Sequence, residues 1–137
     1  MKCLFLAFSL FFSSFAAAYD LGTPIQHASN EYLKNGLEAF IPALLKGSPM
    51  EGEKSAYTQS SALRQIEAYY GNYLGIEPMF EKELSSKTRL VYYVMNYENS
   101  PVFGFALLYK KKEGEIVTNF NFNTKLWEIM PSEAIFK

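Results

Sequence analysis

The chain has 137 residues, enough for one domain and too few for two of ordinary size. Thirteen basic residues stand against fourteen acidic ones without a clustered basic face, which argues against nucleic acid or an anionic membrane as a partner. One histidine and one cysteine exclude a disulfide framework and a zinc site of the ordinary kind, and nothing implies a cofactor.

In chain order, Lys2 gives a positive start and Leu4 to Phe15 is an apolar run broken only by Ser9, Ser13 and Ser14. Ala16-Ala17-Ala18 then offers an A-x-A cleavage signal. This is the layout of a secretory signal peptide, and the run is shorter than the ~20 residues a bilayer span needs. Residues 1–18 are therefore read as a signal cut between Ala18 and Tyr19, and residues 19–137 as one α+β domain. The expected location is exported, periplasmic or extracellular, with no integral membrane segment after cleavage. Cys3 leaves with the signal, and the remaining 119 residues carry twelve basic against fourteen acidic side chains, a balance near −2.

Helical spacing covers about 24–73. Thr23-Pro24 reads as a helix start, a capping hydroxyl followed by proline in the first turn, and Ile25, Ala28 and Tyr32 recur at helical spacing before Asn35-Gly36. Leu37, Phe40, Ile41, Leu44 and Leu45 form a second stripe, with Pro42 inside it kinking or shortening the helix. Leu63, Ile66, Tyr70 and Tyr73 mark a third helix from about Lys54 to Tyr73.

After Gly75 the period changes to two. Strands are predicted at Ile76–Leu84, Thr88–Tyr97, Val102–Lys111 and Ile116–Thr124, followed by a tail over 125–137. The breaks are short and rich in turn formers, so the strands make an antiparallel meander. Pro78 fits only an edge strand or a bulge, and the first strand of such a meander is an edge.

Turn lengths suggest which residues share a face. If Tyr97 faces Val102, then Leu90, Tyr92 and Val94 share a face with Phe103, Phe105, Leu107 and Tyr109. If Lys111 faces Ile116, Thr118, Phe120 and Phe122 join them. This more aromatic face is assigned to the core, under the helices. The second face carries Val91, Tyr93, Met95, Gly104, Ala106, Leu108, Asn119, Asn121 and Asn123, and it stays apolar on the two central strands. Two explanations stand. Either the tail, with Trp127, Ile129, Met130, Ile135 and Phe136, folds over it, or Tyr93, Met95, Asn119 and Asn121 form a surface for a ligand, an envelope protein or a second copy of the chain.

The segment from about Leu37 to Met130 resembles secreted bacterial proteins with a cystatin-like, NTF2-like α+β domain. The residues that carry this are Tyr70-Gly71, Gly75-Ile76-Glu77, Thr88 to Tyr93, Tyr97 to Pro101, Leu108-Tyr109-Lys110 and Asn119 to Asn123. The resemblance implies helices on a strongly curved four-stranded sheet, often around a cone-shaped cavity, and it brings no catalytic residues with it.

The side chains offer little catalytic chemistry. Asp20 is the only aspartate, and Glu77, Glu81 and Glu83 alternate along one strand as a charged edge would. His27 precedes Glu31 by one helical turn, the spacing of a surface contact, and no nucleophile is placed beside it. Ser60-Ser61 and Ser85-Ser86 lack a partner base, and Arg89 has Glu83 across the first hairpin as an ion-pair candidate. No catalytic or metal residue is nominated. The expectation is an exported, non-catalytic binding or assembly module for a small apolar ligand or a protein partner. The alternative is an NTF2-like enzyme acting on a small hydrophobic substrate, which requires a glutamate or His27 inside the cone.

Overall fold

A computed structural model describes residues 19–135, so the proposed signal, Cys3 and Phe136 lie outside the described residues. Helix α1 covers Thr23–Asn35, with Pro24 in its first turn, where a missing N–H breaks no bond. Thr23 does not cap it. The chain enters at Gly22, whose N–H donates to Asp20 Oδ1 at 2.9 Å. A 3-10 turn over Leu37–Ala39 leads into α2, Phe40–Leu44, so Pro42 again falls in a first turn and the helix is short rather than kinked.

The expected third helix is two helices, α3 (Lys54–Tyr57) and α4 (Gln59–Tyr70). They part at Thr58, whose hydroxyl donates back to the Ser55 carbonyl at 2.6 Å and draws the backbone off the helical path. Helix α4 stops three residues early because the second hairpin docks onto its end. Asn99 N–H donates to the Tyr70 carbonyl at 2.9 Å and Glu98 N–H to the Asn72 carbonyl at 3.0 Å. Tyr73 therefore opens a strand instead of closing a helix.

The strands are β1 (Tyr73–Glu83), β2 (Thr88–Tyr97), β3 (Pro101–Lys111) and β4 (Gly114–Asn123), antiparallel in the order β1-β2-β3-β4. The fold is α+β, helices on one open four-stranded sheet. Pro78 sits on the edge strand, beside a bulge at the Pro78/Phe80 step. The hairpins are tighter than expected: Met95, not Tyr97, faces Val102, and Lys111 faces Gly114. A slide of two residues leaves the pairing of faces on β2 and β3 unchanged.

On β2 and β3 the core face is the reverse of the one expected, whereas Phe120 and Phe122 of β4 lie in the core as expected. Beneath the helices lie Val91, Tyr93, Met95 and Tyr97 of β2, Val102, Ala106 and Leu108 of β3, and Val117, Phe120 and Phe122 of β4. Phe103 and Phe105 point to the other side and are half-buried. Two local features explain this. Gly104 and Ala106 form a trough of small residues, and a Cβ on Gly104 would lie 2.4 Å from Cε2 of Tyr93, so only glycine lets that ring lie flat on β3. A bulge on β4, where Leu107 faces Asn119 but Leu108 faces Val117, then flips Phe120 and Phe122 into the core. Tyr93, Phe40, Ile25, Ile41, Leu44, Leu63 and Met95 fill the space between helices and sheet, each fully buried.

Past β4 the tail forms a 3-10 turn, Leu126–Glu128, and a short α5, Ser132–Ile135. Ile129 and Met130 are buried apart from the main core, and Trp127 is exposed. Among the described residues no helix is long and apolar enough to cross a membrane.

Candidate functional site

The expected surface of Tyr93, Met95, Asn119 and Asn121 does not exist as a unit. Tyr93 and Met95 are fully buried in the core, whereas Asn119 and Asn121 are exposed on the opposite face. That opposite face is the more informative one.

Strand pairing stacks the side chains at the centre of this face into three rows, between Asn96 and Pro101 at one end and Thr88, Tyr109 and Ile116 at the other. The first is Glu77, Val94, Phe103 and Asn123; the middle is Phe80, Tyr92, Phe105 and Asn121; the third is Lys82, Leu90, Leu107 and Asn119. The β1 bulge brings Glu77 and Phe80 onto one face despite their odd spacing, and it sends Glu81 to the other. All six positions on β2 and β3 are apolar or aromatic and half-buried, and none belongs to the core under the helices. The rings form a ladder along the middle row, Phe80 to Tyr92 at 6.3 Å and Tyr92 to Phe105 at 6.1 Å. Tyr19 extends it with an edge contact on Phe80 at 6.0 Å. Partial burial pushes the Tyr92 phenol above its ordinary pKa.

The rim is polar. Glu77 accepts a hydrogen bond from Asn96 Nδ2 at 2.7 Å, and Lys82 has no ion pair among the described residues. Three asparagines close the β4 side. An apolar centre with a polar border is the anatomy of a recognition surface.

Arg89 sits on the core side of the sheet, at the end that the helices leave open. Its Nε and Nη2 each reach a Glu115 carboxylate oxygen at 2.7 Å, and Nη1 reaches Glu81 at 2.7 Å and the Asp20 carbonyl at 2.8 Å. The hydrogen bonds to Glu115 lead the causes that raise the guanidinium pKa. Glu83 lies across the hairpin from Arg89, but the ion pairs go to Glu81, Glu115 and, at 3.8 Å, Asp20. Gly22 packs so closely here that a Cβ would lie 2.6 Å from Nη2, so the cluster clamps residues 20–22 onto the sheet.

The interior also holds a tyrosine network that sequence reasoning missed. Tyr32 donates to Glu67 at 2.6 Å, leaving its oxygen to accept from Tyr97 at 3.2 Å, while the Ser29 and Tyr73 hydroxyls lie 2.6 Å apart. The Tyr32 and Tyr73 rings stack at 4.0 Å. Burial pushes Tyr97 up to about 12 and raises Tyr32, Tyr73 and Tyr93 further, with the bond to Glu67 adding to the effect on Tyr32. All four stay protonated at neutral pH. Tyr93 is the odd member, its buried hydroxyl having no hydrogen-bond partner among the described residues. Recesses of about 310, 610 and 400 Å³ on the surface are lined by other residues and do not reach this network.

His27 is exposed on α1, and Glu31 bonds to Asn35 Nδ2 at 2.7 Å instead of to His27. Among the described residues no three His, Cys, Asp or Glu side chains are grouped to hold a metal ion. No family model, curated protein or solved structure matches the chain.

Proposed function

We propose that this chain is an exported, non-catalytic assembly module that docks a protein on the phenylalanine-rich open face of its sheet. One observation carries the reading: the half-buried ladder of Phe80, Tyr92 and Phe105 with Leu90, Val94, Phe103 and Leu107 around it, on the side of the sheet away from the helices. An apolar patch of this kind with a polar rim is the usual mark of an interaction site. The filled interior favours docking over a small-molecule site, because Tyr93 and Met95 occupy the space where a cone cavity would lie. In this reading the fold is of the NTF2-like and cystatin-like kind, and Lys2 to Ala18 direct export.

The test is a photocrosslinking residue in place of Phe105 in the full chain, expressed in its natural host. A discrete adduct from position 105, absent when the probe replaces exposed Tyr69 on α4, is the expected result. No adduct at position 105 over the growth cycle removes the docking reading. Amino-terminal sequencing of the exported protein tests the signal, with Tyr19 expected as the first residue.

A further inference from the structure

We infer that the occupant of the open face is a second copy of this chain, packed about a two-fold axis that runs across the strands along the middle row. This rests on the docking reading and specifies its partner.

The three rows make the face complementary to itself. A two-fold axis in the plane of the interface, perpendicular to the strands and through the middle row, exchanges the outer rows and lays the middle row on itself. Glu77 of one copy then faces Lys82 of the other, and Lys82 faces Glu77. Val94 meets Leu90, Phe103 meets Leu107, and Asn123 meets Asn119. Within these three rows every apolar position finds an apolar one, each amide an amide, and each charge its opposite. Lys82, without an ion pair among the described residues of its own copy, gains one, and Glu77 has a carboxylate oxygen left after Asn96. An axis along the strands would instead set both charges over asparagines, so the charge pattern selects one geometry.

A self-complementary patch related by a two-fold is the requirement for a closed dimer, and aligned sheets pack this way at about 10 Å with a modest twist angle. Four strands ~4.8 Å apart and three rows ~7 Å apart give a patch roughly 20 Å on a side. Both copies together bury about 800 Å², below the ~1,000 Å² of a stable specific interface, so the association is expected to be weak and reversible, with dissociation in the micromolar range or above.

The experiment is analytical ultracentrifugation of the purified mature protein from ~1 to ~500 μM. Wild type is expected to pass from monomer to dimer. Glu77→Lys and Lys82→Glu each set like charges opposite one another twice and are expected to weaken association at least ~10-fold, while the double variant restores it to within ~3-fold. Asn121→Lys, on the axis and exposed, opposes two lysines and is also expected to weaken association. Circular dichroism and thermal melts confirm that each variant folds. A wild type that stays monomeric at the highest concentration overturns the inference, as does a dimer indifferent to Asn121→Lys or unrescued by the double exchange. A monomeric wild type that still gives a heterologous adduct from position 105 leaves the docking reading standing and removes only the second copy. A monomer with no adduct removes both.

Discussion

Gly104→Ala probes the packing decision on which the fold turns. Alanine in place of a strand glycine ordinarily gains about 0.5–1 kcal/mol, because glycine loses more backbone freedom on folding. Here the added methyl would lie 2.4, 2.5 and 2.7 Å from Cε2, Cζ and the hydroxyl oxygen of Tyr93. Non-bonded carbon contacts settle near 3.5–4.0 Å, so the ring must retreat by roughly 1 Å. It has nowhere to go, since Tyr93 is fully buried among other fully buried side chains. Overpacking of this kind costs about 1–3 kcal/mol, and a rigid ring places the expectation near the top, about 3 kcal/mol. For a domain of this size that lowers the melting temperature by roughly 10–12 °C. Urea denaturation of wild type, Gly104→Ala, Tyr93→Leu and the pair provides the measurement. In the Tyr93→Leu background the alanine is expected to cost less than about 1 kcal/mol, a coupling of at least about 2 kcal/mol. A neutral or stabilising Gly104→Ala in wild type refutes the packing of Tyr93 on β3.

Tyr93→Phe removes a buried hydroxyl that has no partner among the described residues, so the unfolding free energy from urea titration is expected unchanged or higher by up to about 1 kcal/mol, and a loss above about 1 kcal/mol shows that the oxygen is bonded after all. Alkaline pH is expected to destabilise the fold. The buried tyrosines have folded pKa values above the unfolded value near 10, so their contribution is complete below about pH 10 and is lost as pH rises through the folded values. Each group gives up to about 1.4 kcal/mol per pH unit, so urea midpoints should fall steeply between about pH 10 and 12, and flat midpoints contradict their burial. Glu115→Gln takes from Arg89 its two-pronged carboxylate partner, and a stability loss of about 1–3 kcal/mol is expected, with proteolysis near Asp20 to Gly22 rising as the clamp loosens. Unchanged proteolysis there assigns the hold on residues 20–22 to other contacts.

Much of the architecture was legible because it depends on period and punctuation. The change of rhythm near Gly75, the turn formers between strands and the edge position of Pro78 gave an α+β chain with a four-strand meander. The faces were not legible by summing aromatic residues. Phe103 and Phe105 outweigh Gly104 and Ala106 in area, yet the small pair admits the Tyr93 ring and so selects the side that the helices cover. The β4 bulge was invisible to an alternation argument, and it separates Phe120 and Phe122 from the phenylalanines of β3. For the same reason Tyr93 and Met95 were placed on a surface with Asn119 and Asn121, which lie across the sheet from them. Glu67 and the tyrosines it joins were also missed, because contacts between residues 35 and 65 positions apart leave no local spacing to read.

Tyr92 and Tyr93 are neighbours in the chain and point to opposite sides of the sheet. Hydroxyl-radical footprinting of the Glu77→Lys protein at low concentration, where self-association is suppressed, reads the two separately in the fragment spectra. Oxidation of Tyr92 with protection of Tyr93 is the expected outcome, and oxidation of Tyr93 with protection of Tyr92 would contradict the placement of helices and open face alike.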